Sequence, residues 1–122
     1  MRLVRPLPVV LCLTLLVPPA VSADEGRVGL VIGNASYEEA PLRNPVNDSR
    51  AIAVSLRQLG FEVIEAEEAD RDQMTAAMLR FAQQLGPDDT GLFYYAGHGV
   101  QVDGSNYLIP LKAEIDSKLS VQ

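Results

Sequence analysis

Apolar positions along the chain change their period several times, and each period predicts an element. Arg27–Ile32 (RVGLVI) is a nearly unbroken apolar run with β-branched residues, the signature of a strand covered on both faces. Gly33–Asn44 is a polar loop, and Asn44-Pro45 marks a turn or helix entry. From Val46 to Leu59 the period becomes helical: Ile52, Leu56 and Leu59 share a face, with Arg50 and Arg57 off it. Gly60 is placed for a left-handed cap, and Phe61 can pack back on Leu56 as in a Schellman motif. Phe61–Ala66 (FEVIEA) reads as a second strand, Phe61, Val63 and Glu65 alternating against Glu62 and Ile64. Asp70 caps a second helix with Gln73 as its capping-box partner. Met74, Met78, Phe81 and Leu85 form the buried stripe of that helix, and Gly86-Pro87 ends it. Thr90–Ala96 (TGLFYYA) is a third strand. Gly99–Val102 and Asn106–Ile109 flank Asp103-Gly104, a hairpin signal.

The order is β-α-β-α-β followed by a hairpin. Strands alternating with helices predict an α/β layer fold with a mainly parallel sheet. Three parallel strands make a thin sheet, and the pattern stops as though more strands were due. Residues 111–122 carry no clear period. Residues 24–122 therefore read as the first part of a domain, incomplete in this chain, with no internal repeat and no low-complexity linker.

Residues 1–23 follow a different pattern. Arg2 and Arg5 form a basic n-region, Leu7–Val17 an apolar h-region, and Val21-Ser22-Ala23 a small-residue cleavage site. A membrane anchor is the rival reading, but the run is short for a span and is broken by Pro8, Pro18 and Pro19. Cys12 raises a lipoprotein reading, yet Val9-Val10-Leu11 before it lacks the small residues such a site needs. The expectation is a signal peptide cut after Ala23. The mature chain is then periplasmic or secreted, with no stable membrane anchor once the signal is gone.

Cleavage leaves 99 residues with eight Lys and Arg against 16 Asp and Glu, a net charge of −8. Phosphate contacts need clustered Lys and Arg, so a chain this acidic is not expected to bind nucleic acid. It also lacks a polybasic patch for an anionic membrane surface. Hydrophobic residues at 48% and charged residues at 21% belong to a globular domain. The single cysteine leaves with the signal, so residues 24–122 hold no disulfide, thiolate metal site or cysteine nucleophile.

The sharpest chemical feature is Tyr94-Tyr95-Ala96-Gly97-His98-Gly99, which contains the only histidine. It lies at the carboxyl end of a strand, where open α/β sheets place their active sites. Flanking glycines allow a sharp turn and close approach of a ligand. An imidazole there can take a proton from a nucleophile and return it to a leaving group. The N–H of Gly99 is a candidate oxyanion-hole donor. The plainer reading is a loop histidine that satisfies a backbone carbonyl. Asp48 is the second candidate. A carboxylate in a first helical turn is commonly explained by the helix dipole alone. Its functional reading is a fixed charge that pairs with a substrate Arg or Lys. Gly29-x-x-x-Gly33 matches neither a dinucleotide fingerprint nor a P-loop. The acidic run Glu65, Glu67, Glu68, Asp70 and Asp72 lacks calcium-loop spacing and reads as a solvated, helix-capping stretch.

Several of these segments occur together in a family. RVGLVIGN (27–34), LRNPVND (42–48), Leu59-Gly60-Phe61, LFYYAGHGV (92–100) and NYLIP (106–110), in this order, resemble the caspase-like cysteine peptidases, especially their bacterial paracaspase and metacaspase-like branch. The resemblance covers residues 27–122 and implies a three-layer α/β/α sandwich. It implies that His98 is the catalytic histidine, Gly99 the oxyanion-hole glycine, and Asp48 an S1 carboxylate selecting Arg or Lys at P1. The family nucleophile is a cysteine at the end of the next strand, about 50 residues beyond the histidine in caspases. Only 24 residues follow His98 here. The expected function of the complete protein is thus cysteine-type endopeptidase action on protein or peptide substrates with Arg or Lys at P1. This chain alone is expected to be inactive and to self-associate through its free sheet edge. The alternative is a non-catalytic caspase-like domain that binds or regulates, and a remote third reading is a nucleotide-binding or flavodoxin-like domain. No cofactor is implied, and nothing in the sequence indicates calcium dependence.

Overall fold

The computed structural model describes residues 25–113. The expected signal segment and the last nine residues lie outside them. Three strands, β1 (Arg27–Gly33), β2 (Glu62–Glu67) and β3 (Thr90–Ala96), form a parallel sheet in the order β2-β1-β3. Helix α1 (Pro45–Gln58) connects β1 to β2, and α2 (Arg71–Gln84) connects β2 to β3. The two helices lie on opposite faces, which makes the three layers of the expected sandwich. A separate antiparallel hairpin, β4 (Gly99–Val102) and β5 (Ser105–Leu108), follows β3.

The central position of β1 explains its unbroken apolar run. Val28, Leu30 and Ile32 face α2 and pack with Ile64, Ala69, Met74 and Ala77. Val31 faces α1 with Ala53 and Leu56. Full burial of Leu30, Val31 and Ile32 contributes about 1.5–3 kcal/mol each. Gly29 and Gly33 occupy the α1 face for a steric reason. A Cβ on Gly29 would sit 3.2 Å from Leu56 Cδ1, and one on Gly33 would overlap the Ser49 hydroxyl and lie 2.8 Å from the Pro45 carbonyl oxygen. Gly33 lets the first turn of α1 close on the end of β1, and Gly29 leaves room for Leu56 in its last turn.

The local signals hold in detail. Gly60 has φ +82, the Phe61 N–H reaches the Leu56 carbonyl at 3.0 Å and the Gly60 N–H reaches Arg57, a Schellman closure. Asp70 and Gln73 form the reciprocal capping box. Asp103 and Gly104, at φ 49 and 80, make the tight hairpin turn. The stripe on α2 differs from the expected one. Met74 and Ala77 are its buried centre and Phe81 and Leu85 are half-buried, reaching over Gly91 of β3, while Met78 is 38% exposed. In β2, Glu65 and Glu67 turn toward α1 and pair with Arg57 and Arg50 at 2.5 and 2.6 Å.

Candidate active site

All sequence-designated site residues lie at the carboxyl end of the sheet. The last residue of β1, Gly33, pairs with Ala96, the last of β3. From there the connections part: β1 leads to α1 on one face, and β3 leads to a hairpin whose Leu108 packs on the α2 side. A divergence beyond the strand ends is the usual binding place in open α/β sheets.

His98 sits at this divergence, two residues beyond β3. Its Nε2 lies 2.7 Å from the carbonyl oxygen of Ala40 in the β1–α1 loop. A carbonyl only accepts, so Nε2 carries the hydrogen and the neutral ring keeps its lone pair on Nδ1. Nδ1 has no hydrogen-bond partner among the described residues. The Tyr37 ring lies against the imidazole, centroids 4.4 Å apart and planes tilted by 55°. A purely structural loop histidine would also bond a carbonyl. What sets His98 apart is its strand-end position and its free, ring-fixed Nδ1.

The main chain of His98 is held as firmly as its ring. Its N–H donates to the Tyr37 hydroxyl at 3.0 Å. Its carbonyl accepts from the Tyr95 hydroxyl at 2.8 Å and from the Ile109 N–H at 2.9 Å. The two phenol oxygens are 3.0 Å apart, and both lie within reach of the Ile109 carbonyl, at 2.8 and 2.9 Å. Burial, and then the adjacent Tyr37 hydroxyl, push the Tyr95 phenol far above its ordinary value, so it stays a proton donor. Gly97 has a steric role here and no left-handed φ. A Cβ at this position would stand 2.5 Å from the Tyr95 hydroxyl and 2.6 Å from that of Tyr37.

The loop that carries Tyr37 and Ala40 is pinned from below. Asn34, fully buried, accepts the Ala69 N–H at 2.8 Å and donates to the Ala69 carbonyl at 3.1 Å. The Glu68 carboxylate accepts the Ala35 and Ser36 N–H groups at 2.8 and 3.0 Å. Burial alone would raise the Glu68 carboxyl, but these bonds and one from the Ser36 hydroxyl outweigh it and hold it below the usual range.

Gly99 opens β4 opposite Leu108, and a Cβ there would meet only the Tyr107 carbonyl oxygen at 3.4 Å. Asp48 is exposed in the first turn of α1, and its carboxylate has no hydrogen bond or ion pair among the described residues. It shares the carboxyl end with His98 without touching it. The acidic run is dispersed in function: Glu65 and Glu67 pair with α1, Glu68 pins the loop, and Asp70 caps α2. Sequence reasoning missed Tyr37, the Ala40 carbonyl, Asn34 and Glu68. Only Tyr37 carried a signal, as the one aromatic in a polar loop.

Residues 26–121 match the caspase domain family. The chain belongs to that family. Over 88 residues it is 36% identical to the human mucosa-associated lymphoid tissue lymphoma translocation protein 1, and 38% identical to the mouse homolog. Each match covers 71% of this chain and 11% of the relative. The caspase domain thus accounts for nearly all of the described residues, and the chain spans about a tenth of the length of these two relatives.

Proposed function

We propose that the complete protein is a cysteine endopeptidase in which His98 is the acid–base group. The observation that carries this reading is the Nε2–Ala40 contact, which leaves Nδ1 as the basic atom at the carboxyl end of the sheet. Nδ1 takes the proton of a cysteine thiol supplied by the next strand of the family domain, and the thiolate attacks the scissile carbonyl. The N–H of Gly99 stabilises the oxyanion as the tetrahedral intermediate forms. His98 then gives its proton to the leaving amine, and water, deprotonated by the same ring, hydrolyses the acyl-enzyme.

Asp48 supplies specificity in this reading. Its unpaired carboxylate stands at the same end of the sheet as His98 and is free to take a guanidinium or ammonium at P1. Residues 1–23 direct export, and the mature chain begins at Asp24. The test is hydrolysis of matched peptides with Arg, Lys or Asp at P1 by the full-length protein. Arg and Lys substrates should be cut, and His98→Ala should abolish turnover. Asp48→Asn should lower kcat/KM for Arg by about 10- to 100-fold, the value of one charge-assisted contact of about 1.5–3 kcal/mol. Cleavage after Asp, or no effect of Asp48→Asn, would contradict the S1 assignment. Inactivity under every activation condition would favour a non-catalytic binding domain.

A further inference from the structure

We propose that Tyr37 and Tyr95 are a positioning pair that sets the His98 imidazole against Ala40. The inference rests on the reading of His98 as the acid–base group. The pair grips both main-chain polar groups of one residue: Tyr37 receives the His98 N–H, and the Tyr95 hydroxyl reaches the His98 carbonyl. The same two hydroxyls converge on the Ile109 carbonyl, which follows the end of β5. Three segments remote in sequence therefore meet at two oxygens 3.0 Å apart: the β1–α1 loop, the strand-end His98 and the end of the hairpin.

Proton counting narrows the arrangement to two. Two hydroxyls supply two protons, and the Tyr37 oxygen must accept from His98. Either Tyr37 donates to Ile109 and Tyr95 to His98, or Tyr37 donates to Tyr95 and Tyr95 to Ile109; the His98 carbonyl, which also accepts the Ile109 N–H, is satisfied both ways. The Tyr37 ring also walls one side of the imidazole, and its loop carries Ala40, the acceptor of Nε2–H. One tyrosine thus fixes both the base and the group that orients it. Catalytic geometry is sensitive to displacements of about 1 Å, each able to cost about 100-fold in rate. Gly97 leaves just enough room for the pair, because a Cβ there would contact both hydroxyls.

The test uses Tyr37→Phe, Tyr95→Phe and Gly97→Ala. Each keeps the rings, and the last keeps both hydroxyls while wedging them apart. In the full-length protein the His98 side-chain 15N resonances, assigned by their loss in His98→Gln, report its tautomer. Wild type should show predominantly Nε2–H. The folded variants should lose that preference, and in the full-length protein kcat should fall about 10- to 100-fold with KM within about twofold. A wild-type tautomer in folded variants overturns the proposal, as does a changed tautomer with unchanged kcat in an active enzyme. Loss of the fold in all three variants also overturns it, because the tyrosines would then serve stability alone. A changed tautomer in a protein whose wild type cleaves nothing supports the positioning pair and refutes the peptidase reading.

Discussion

The two ends of the sheet are closed by different means. At the amino end a local backbone turn is joined by two long-range side-chain ties, Asp89 to Gly26 and Arg27 to Leu59. The Schellman turn at Gly60 uses backbone groups within six residues, and Asp89 ties the Gly86 N–H at 2.7 Å and the Gly26 N–H at 2.8 Å. At the carboxyl end the loops are held by side chains acting across 32 to 72 residues: Asn34 to Ala69, Glu68 to Ala35 and Ser36, Tyr37 to His98 and Ile109. Backbone closures set where a chain turns. Side-chain closures also set where a neighbouring loop stands, to within the tolerance of a hydrogen bond. Both ends use them, and the end that must hold His98 against Ala40 has the denser set.

The largest way to break this contrast is Asn34→Ala. It strands the buried Ala69 N–H, while the Ala69 carbonyl keeps the Leu111 N–H at 2.9 Å, and should cost about 2–3 kcal/mol, read by chemical denaturation. Activity of the full-length protein should fall further than stability explains, because the loop bearing Ala40 loses its anchor. Gly60→Ala is the counterpart at the other end. A left-handed φ with a Cβ costs about 1–2 kcal/mol, with kcat unchanged. Asp70→Ala removes one cap of α2 and should cost about 1 kcal/mol, again without effect on kcat.

Glu68 sharpens the comparison through pH. Its folded carboxyl titrates below the ordinary value of 4.5, so its stabilisation is complete above that pH and is lost as pH falls through the lowered value. Glu68→Gln should flatten the acid limb of stability against pH and leave the neutral region less stable. The smallest effect belongs to Arg57→Ala, which breaks an exposed pair with Glu65 and should change stability by less than about 1 kcal/mol.

The same contrast explains what was legible in the sequence. Gly60, the Asp70–Gln73 box, Asp103-Gly104 and the strand-end His98 are signals written within a few residues, and each appears in the structure where expected. The anchors of the β1–α1 loop are not written locally. Asn34 looks like any polar residue after a strand, and its partners lie 35 residues away. Glu68 sits in a run of acids, and its φ of 51 has no glycine to announce it. The Ala40 carbonyl carries no side-chain identity. Met78 failed as a core residue because a helical period marks a face and not which of its residues sit at the centre of the contact.

The central claim is a thiol at the carboxyl end activated by His98. It is tested most directly by incubating the full-length protein with a peptide that carries Arg at P1 and a thiol-reactive ketone in place of the scissile bond, and locating the adduct by mass spectrometry. The account predicts one modified cysteine per molecule, labelling slowed by at least about 100-fold in His98→Ala, and none with Asp at P1. Absence of labelling, or labelling at the same rate without His98, would contradict it.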